Sequence, residues 1–467
     1  MTTTKTYHLR ALRIASIFVL TASNILLTIR LLHMQNCSHT DSMESLQIIP
    51  KAPQLTSTTC IEYGAIDERP SAVPAFFNLN FQIARWDSKR LYKYFDFAVI
   101  GDEYDALSKK YLVCLATQSS LERLHSFVQV VEHWNGPVSI AVFAAGDEEF
   151  DILQLYITYL RNCFSSVRKN VSFHLGIPKD RQPQRRRSTY KNWNSYNCAS
   201  PEATLKELLK LRTSETIRWR LRNAYPQNHM RNLARKGCQS SYVFLTDVDI
   251  VPSVNITTHL DKFLRTAKCS KLCAYVIPTY EIDARVKYPN SKNELIRLVK
   301  RGLARPFHEK VFIYNQYATN FSKWENNFIS NNETHVSHNV TNFEFLYEPF
   351  YVTLDNAPEH DERFIGYGFT RNSQVYEMFV SGYQFQVLSP VFTCHWGLQQ
   401  KKTRPAWREQ QNNINRKQFE SFKKEILARY KKDPLKINEC ILVCFLTGVL
   451  EGDVFRLLEK DFSILAL

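Results

Sequence analysis

Two aspartates stand one residue apart directly after an apolar segment, and this pair is the clearest chemical feature of the sequence. Tyr242–Leu245 reads YVFL, which predicts a buried strand. If the backbone stays extended, Asp247 and Asp249 leave the same face of that strand and converge on one hard cation. Ligands of open α/β sheets bind beyond the carboxyl ends of the strands. The pair therefore predicts a metal-diphosphate site, and the alternative is a solvated turn.

A second acidic pair precedes a loop with two glycines. Asp361 and Glu362 begin the segment DERFIGYGFT, in which Gly366 and Gly368 permit close approach of the backbone to a ligand. Aromatic faces in this loop can pack on a sugar ring. The alternative is a tight turn with a solvated Asp-Glu pair.

Basic and imidazole side chains complete the set of candidates. The segment Asn228–Gly237 predicts a short basic helix on which Arg231 and Arg235 lie one turn apart, facing either donor phosphates or solvent. His395 ends the apolar run QFQVLSPVFTCHW. A lone histidine there is usually structural, and only the aspartate pair makes a third metal ligand attractive.

The elements that must position these residues alternate between strands and helices. This alternation predicts an α/β fold with a mixed, mainly parallel central sheet of the kind that binds nucleotides. The predicted elements are strand Tyr111–Thr117, helix Ser120–Trp134 with Ser120 as its cap, strand Val138–Ala145, a helix from Asp151, a strand from Val171, a helix around Pro201–Leu211 and a strand within Lys271–Asp283.

The N-terminus carries a membrane signal. Sixteen uncharged residues lie between Arg13 and Arg30, and as a helix they span about 24 Å, which suits a thin secretory-pathway membrane. Lys5, Arg10 and Arg13 precede this segment, so the positive-inside rule leaves the N-terminus cytosolic. We expect a single-pass type II Golgi membrane protein with a luminal catalytic domain. A cleaved signal peptide is the alternative.

The predicted organisation has five parts. Residues 1–13 are cytosolic, 14–32 form the signal-anchor helix, 33–94 form a Pro- and Ser-rich stem, 95–430 form the catalytic domain and 431–467 form a C-terminal extension of unknown role. The apolar run Cys440–Leu450 in the extension is too short to cross a membrane.

Sequons, cysteines and charge agree with a luminal address. The chain of 467 residues has six N-x-S/T sites and 11 cysteines without a CxxC pair, which predicts a few disulfides and disfavours zinc ribbons. The net charge of +15 favours anionic partners. In the lumen these are nucleotide sugars, acidic glycans and lipid headgroups, and no nucleic acid is expected.

The ordered motifs FLTDVDIVPS, DERFIGYGFTR and CHWG resemble those of glycosyltransferase family 49, over about Phe95 to Tyr430. The resemblance implies a GT-A fold, a UDP-sugar donor, Mn²⁺ and inversion at the anomeric carbon. It makes Asp247 and Asp249 the metal-diphosphate pair and His395 the last metal ligand.

The resemblance also implies roles for the second acidic pair and for the substrates. Asp361 or Glu362 is the implied acceptor-side base, with Asp361 favoured and with Glu281 or Asp283 next in order. The implied reaction transfers glucuronic acid from UDP-glucuronate in β-1,4 linkage to a xylose-terminated O-mannosyl-type glycan on a glycoprotein. The carboxylate of this donor needs a cationic partner, for which Arg363 and Arg371 are candidates.

Three alternatives stay open at this stage. The donor is UDP-N-acetylglucosamine or UDP-xylose instead, or the chain is a catalytically silent luminal glycan binder or chaperone. The intact acidic residues argue against a silent protein. A homodimer or a complex with other Golgi glycosyltransferases is the expected assembly.

Overall fold

A ten-stranded mixed sheet forms the centre of the protein. The computed structural model describes residues 79, 84–184, 197–269, 272–327, 333–401 and 405–435. The predicted anchor at residues 14–32, most of the predicted stem and residues 436–467 lie outside this range. Of the helices within it, none is at once long enough and apolar enough to cross a bilayer.

The described part of the chain contains fourteen strands, which we number in chain order. They are β1 Arg85–Trp86, β2 Tyr92–Val99, β3 Val113–Ser120, β4 Val138–Phe143, β5 Val171–Pro178, β6 Tyr242–Leu245, β7 Ile250–Pro252, β8 Leu272–Ile277, β9 Thr279–Ile282, β10 Ala304–Pro306, β11 His335–Asn339, β12 Phe350–Leu354, β13 Tyr383–Ser389 and β14 Thr393–Trp396.

Thirteen α-helices lie between these strands in the same described ranges. They are α1 Tyr104–Lys110, α2 Phe127–Trp134, α3 Gly146–Cys163, α4 Ser165–Asn170, α5 Pro201–Leu209, α6 Ser214–Arg222, α7 Gln227–Gly237, α8 Ile256–Thr266, α9 Lys292–Lys300, α10 Glu309–Phe312, α11 Phe321–Glu325, α12 Asn372–Ser381 and α13 Ala406–Tyr430. Short 3₁₀ turns cover Leu121–Ser126, Lys179–Arg181, Ile313–Asn315 and Tyr317–Thr319.

The central sheet has the strand order β1-β2-β5-β4-β3-β6-β12-β8-β13-β11. Strands β5, β4, β3 and β6 run parallel, as the alternating pattern predicts, and β13 runs parallel to β8. The other five neighbouring pairs are antiparallel, including β12 against both β6 and β8. The α/β fold and the mixed sheet are confirmed, but the sheet is not mainly parallel.

The first parallel unit differs from its prediction at the helix starts. Ser120 is the last residue of β3, and a 3₁₀ turn separates it from α2, which begins at Phe127. Helix α3 begins at Gly146, before the predicted Asp151. The acidic side chains of its first turn favour that start because they face the positive end of the helix dipole.

A second sheet places two site segments side by side. It has four strands in the order β10-β9-β14-β7. Strand β7 follows the aspartate pair, and its Ile250 lies opposite His395 of the antiparallel β14. On the other side of β14, His395 lies opposite Glu281 of the parallel β9. This small sheet therefore brings His395 to the segment of Asp249.

Packing and disulfides fix the main sheet. Trp134 of α2 is fully buried and stacks on Phe244 of β6 at 5.7 Å between ring centroids. The sequence leaves the cysteine connectivity open. Among the described residues three pairs form, Cys114–Cys238, Cys163–Cys198 and Cys269–Cys273. Strand β2 begins at Tyr92, three residues before the predicted start of the catalytic domain, and pairs with β5.

We predict that His174 on β5 makes the fold sensitive to acid. Burial lowers the pKa of His174 to about 4, and its Nδ1 accepts a hydrogen bond from the Phe97 N–H at 2.9 Å. Because the unfolded chain takes up this proton near pH 6.5 and the folded chain does not, this contribution to stability falls as pH drops from about 6.5 to about 4.

The test is urea unfolding at pH 7 and pH 5. His174→Asn keeps an acceptor for Phe97 but does not titrate, so it should remove up to about 2 kcal/mol of the stability difference between the two pH values. The same pH dependence in the variant and the parent would contradict this role of His174.

Candidate active site

Asp247 stands at the end of β6 and is held by two guanidinium groups. Arg371 donates to its Oδ1 at 2.6 Å, and Arg231 of α7 donates to the same oxygen at 3.4 Å. Each arginine side chain is 5% exposed, whereas the Asp247 side chain is 33% exposed. Burial raises the pKa of Asp247, but Arg371 and Arg231 outweigh that effect and the net pKa is lowered. Asp247 is therefore a partly exposed carboxylate that two buried arginines orient.

The two aspartates are presented by a turn rather than by an extended strand. The Ile250 N–H donates to the Asp247 carbonyl at 3.1 Å, which closes the turn after β6. The expectation of a continuous extended backbone is therefore wrong. Asp247 faces the arginines, while Asp249 faces Arg123 at 3.3 Å and His395 at 3.8 Å.

His395 faces Asp249 through its Nε2 atom. The distance from His395 Nε2 to Asp249 Oδ2 is 3.8 Å, which is too long for a hydrogen bond. Its other ring nitrogen, Nδ1, lies 3.4 Å from Gln399 Nε2. Two ligands of one ion have a separation of this order. The geometry is compatible with the predicted metal roles of Asp249 and His395, which stay predictions.

His308 is a site residue that the sequence did not indicate. Its backbone is left-handed, with φ of 64°, and its ring stacks on Phe307 at 3.8 Å. Burial and the neighbouring His395 lower the pKa of His308 to about 4, although Asp247 and Asp249 act to raise it. A neutral imidazole therefore borders both aspartates. A single histidine in a loop carries no sequence signal for this placement.

Glu281 of β9 lies opposite His395 and contacts the backbone of His308. Its side chain is fully buried and accepts hydrogen bonds from Arg305 Nε at 3.0 Å and from the backbone N–H groups of His308 and Gln399, each at 2.9 Å. Asp283 instead pairs with Arg285 at the surface. Hydrogen bonds from Arg285 lower the pKa of Asp283 to about 2. Glu281 is thus a positioning residue in this structure.

A cavity of about 670 Å³ opens beside Asp249. It lies at the carboxyl end of β3, where the first crossover of the parallel sheet begins. Trp396 forms part of its wall and donates from Nε1 to Gln129 at 2.8 Å. Arg123 and Lys206 also line it. The cavity combines an aromatic wall and cationic side chains with Asp249 and His395, two of the three predicted metal ligands, and this lining suits a nucleotide diphosphate.

Asp361 is enclosed in an ion-pair network. Both of its carboxylate oxygens accept hydrogen bonds from Arg363, the shortest at 2.6 Å, and Arg363 also pairs with Glu425 of α13 at 2.6 Å. In the described ranges, Asp249 lines one cavity, whereas Asp361 and Glu362 line another. Asp249 and the second acidic pair therefore border different cavities.

The glycine loop approaches α13 rather than an open cleft. Gly366 and Gly368 have φ of 79° and 90°, and a Cβ at either position would lie 2.5 Å or less from side-chain oxygens of Gln411 or Asn412. Asn415 donates to three carbonyls of this loop, at 2.9 to 3.1 Å. The glycines are needed for packing against α13.

Glu348 is a second acid that the sequence did not single out. Its side chain is partly exposed, interacts electrostatically with Arg371, Arg231 and Asp247, and accepts a hydrogen bond from the backbone N–H of Asn372. Burial raises the pKa of Glu348. Glu348 therefore belongs to the electrostatic surroundings of Asp247.

The sequence profile of glycosyltransferase family 49, described as "Glycosyl-transferase for dystroglycan", matches residues 112–431. The chain belongs to this family. It is 31% identical over 326 residues to beta-1,4-glucuronyltransferase 1 of Danio rerio, covering 69% of this chain and 75% of that protein. The resemblance to family 49 that the sequence motifs indicate is confirmed, and the protein is a glycosyltransferase.

Two further similarities are weaker. The chain is 26% identical to human xylosyl- and glucuronyltransferase LARGE1 over 320 residues, which are 68% of this chain and 34% of that protein. The solved structure of GalNAc-T7 with UDP, GalNAc and Mn²⁺ aligns with a TM-score of 0.35 and 7% identity, covering 71% of this chain and 57% of that one. That likeness is too low to add to the assignment.

Proposed function

We propose that this glycosyltransferase transfers glucuronic acid from UDP-glucuronate, with inversion, in β-1,4 linkage to a xylose-terminated O-mannosyl-type glycan on a glycoprotein. The names of the family 49 relatives support the glucuronyl donor. The observation that carries the proposal is the placement of Asp249 and His395 at the wall of a cavity that suits a nucleotide diphosphate. The proposed Golgi membrane address rests on residues outside the described ranges.

The three predicted metal ligands suit a divalent cation. Two carboxylates and an imidazole, from Asp247, Asp249 and His395, are ligands that Mn²⁺ accepts. When bound, the ion would supply positive charge for the diphosphate leaving group. Arg123 and Lys206 add cationic charge along the same cavity, and Trp396 offers a flat apolar surface to the nucleoside.

The carboxylate of UDP-glucuronate needs an arginine or lysine whose hydrogen-bond donors are not all occupied by protein carboxylates. Arg363 is engaged on both sides, by Asp361 and Glu425. Arg371 pairs with Asp247, and its Nη1 is buried without a hydrogen-bond partner in the described ranges. We therefore assign recognition of the glucuronate carboxylate to Arg371.

We assign removal of the proton from the acceptor hydroxyl to Glu348. It interacts electrostatically with Asp247, and a raised pKa brings a carboxyl group closer to the range in which a general base is effective. Asp361, which the sequence favours, accepts hydrogen bonds from Arg363 at both carboxylate oxygens.

The base assignment predicts opposite effects of two amide substitutions. Glu348→Gln should lower turnover about 10²- to 10⁴-fold with little change in UDP-sugar affinity. Asp361→Asn should mainly lower the melting temperature, because it removes the charge that pairs with Arg363. Steady-state kinetics and thermal unfolding on both variants give the answer. A large loss of turnover in Asp361→Asn alone would return the base to the sequence-predicted residue.

One set of transfer assays tests the sugar donor and the roles of Asp247 and Asp249. Purified full-length protein with Mn²⁺ and a xyloside acceptor should use UDP-glucuronate in preference to UDP-N-acetylglucosamine, UDP-xylose and UDP-glucose. Asp247→Asn and Asp249→Asn should each abolish transfer while the protein stays folded, since an amide keeps the shape but loses the charge. Preference for another donor would refute the glucuronyl assignment. Glycan binding without transfer from any donor would favour the silent binder.

We predict that Arg371 makes the protein bind UDP-glucuronate more tightly than UDP-glucose. Arg371→Met should remove the affinity advantage of UDP-glucuronate over UDP-glucose, about 10- to 150-fold for a hydrogen bond between charged groups. Isothermal titration with UDP-glucuronate, UDP-glucose and UDP measures this difference. The matched control is Arg231→Met, which also takes a guanidinium from Asp247 but should weaken all three ligands alike. Equal effects of both substitutions would reject a carboxylate-reading role for Arg371.

A further inference from the structure

Three potential metal ligands converge away from the aspartate pair. Asp87 lies between β1 and β2, His229 lies in the first turn of α7, and Glu362 belongs to the loop before α12. One ligand atom of each residue lies within 4.8 Å of the other two. The distances from His229 Nε2 are 3.8 Å to Asp87 Oδ2 and 3.7 Å to Glu362 Oε2.

The histidine of this cluster is buried without a hydrogen bond. The His229 side chain is 1% exposed, and neither ring nitrogen has a hydrogen-bond partner within the described residues. A buried imidazole that faces two carboxylates normally donates to one of them at about 2.7–2.9 Å. Here both carboxylates stay beyond that distance, although they approach the same nitrogen.

The spacing fits an ion better than a water molecule. Ligands at about 2.1 Å from a tetrahedral ion are about 3.4 Å apart. Groups hydrogen-bonded to one water at about 2.8 Å would be about 4.6 Å apart. The observed 3.7 and 3.8 Å are closer to the first value.

The carboxylates are also held as metal ligands usually are. Asp87 Oδ1 accepts the backbone N–H groups of Leu91 at 2.6 Å and Tyr92 at 2.7 Å, so its orientation is fixed. Asn232 donates to Glu362 Oε1 at 3.3 Å, which leaves Oε2 toward His229. Outer contacts of this kind orient the ligands of a metal site.

We propose that Asp87, His229 and Glu362 bind a structural divalent transition-metal ion, Zn²⁺ or Mn²⁺, at a site separate from the aspartate pair. One imidazole and two carboxylates form a ligand set that both ions accept. The dication compensates the negative charges of buried Asp87 and partly exposed Glu362.

This ion would act as a clamp between three segments. It joins the turn before β2 to α7 and to the loop that carries Asp361, whose carbonyl accepts a hydrogen bond from Asn228 at 2.8 Å. Glu362 and Asp361 also line a cavity of about 460 Å³. Bound metal would hold that wall in place. The site does not depend on the donor or acceptor proposed above.

The experiment measures metal content in a protein whose aspartate pair is silenced. Full-length Asp247→Asn/Asp249→Asn protein is dialysed against Zn²⁺ or Mn²⁺, then against buffer, and its metal content is measured by mass spectrometry. We expect about one ion per chain, and a rise in melting temperature with the same ion. Adding His229→Ala or Glu362→Gln should reduce the content by at least about fivefold.

Matched controls separate metal loss from misfolding. Glu359→Gln removes a neighbouring carboxylate that pairs with Lys236 at the surface, and it should leave the metal content unchanged. Glu362→Gln preserves shape at a partly exposed position, so it covers the case in which His229→Ala does not fold. The proposal would be overturned if the Asp247→Asn/Asp249→Asn protein bound less than one ion per chain with both Zn²⁺ and Mn²⁺. It would also be overturned if the protein with the added Glu362→Gln substitution folded and kept its full metal content.

Discussion

The pairing of Asp247 with Arg231 and Arg371 is the contact on which the rest of the site depends. It ties the end of β6 to α7, the helix that precedes it, and to the start of α12, which lies 124 residues further along the chain. Arg231 also donates to Asn228 and Thr370, so the same contact fixes the end of the glycine loop. Loss of one partner would leave a charge of this contact without its counter-charge.

The small second sheet extends this constraint to the imidazoles. Its register sets His395 against the segment of Asp249, and buried Glu281 holds the backbone of His308 on the adjacent side. Asp249 thus faces an imidazole, and Asp247 faces the two arginines. A site that combines carboxylates, imidazole and guanidinium groups suits the binding of both a cation and a diphosphate.

The sequence predicts the local parts of this arrangement well. The apolar run Tyr242–Leu245 is strand β6 with the predicted bounds, because an uninterrupted apolar segment before polar residues has few alternatives. The antiparallel insertion of β12 between β6 and β8 was not predictable, since it depends on pairing between distant segments. His308 and Glu348 were missed for the same reason. The glycine loop was interpreted as a ligand contact because glycine spacing does not reveal that α13 covers it.

The most direct test of the account is a crystal structure of the protein with Mn²⁺ and UDP, with anomalous differences collected for manganese. The account predicts one anomalous peak within about 2.3 Å of Asp249 and His395, with the diphosphate in the adjoining cavity. A manganese peak at Asp87, His229 and Glu362 in addition would leave this claim intact. Bound UDP with no ion between Asp249 and His395 would contradict it.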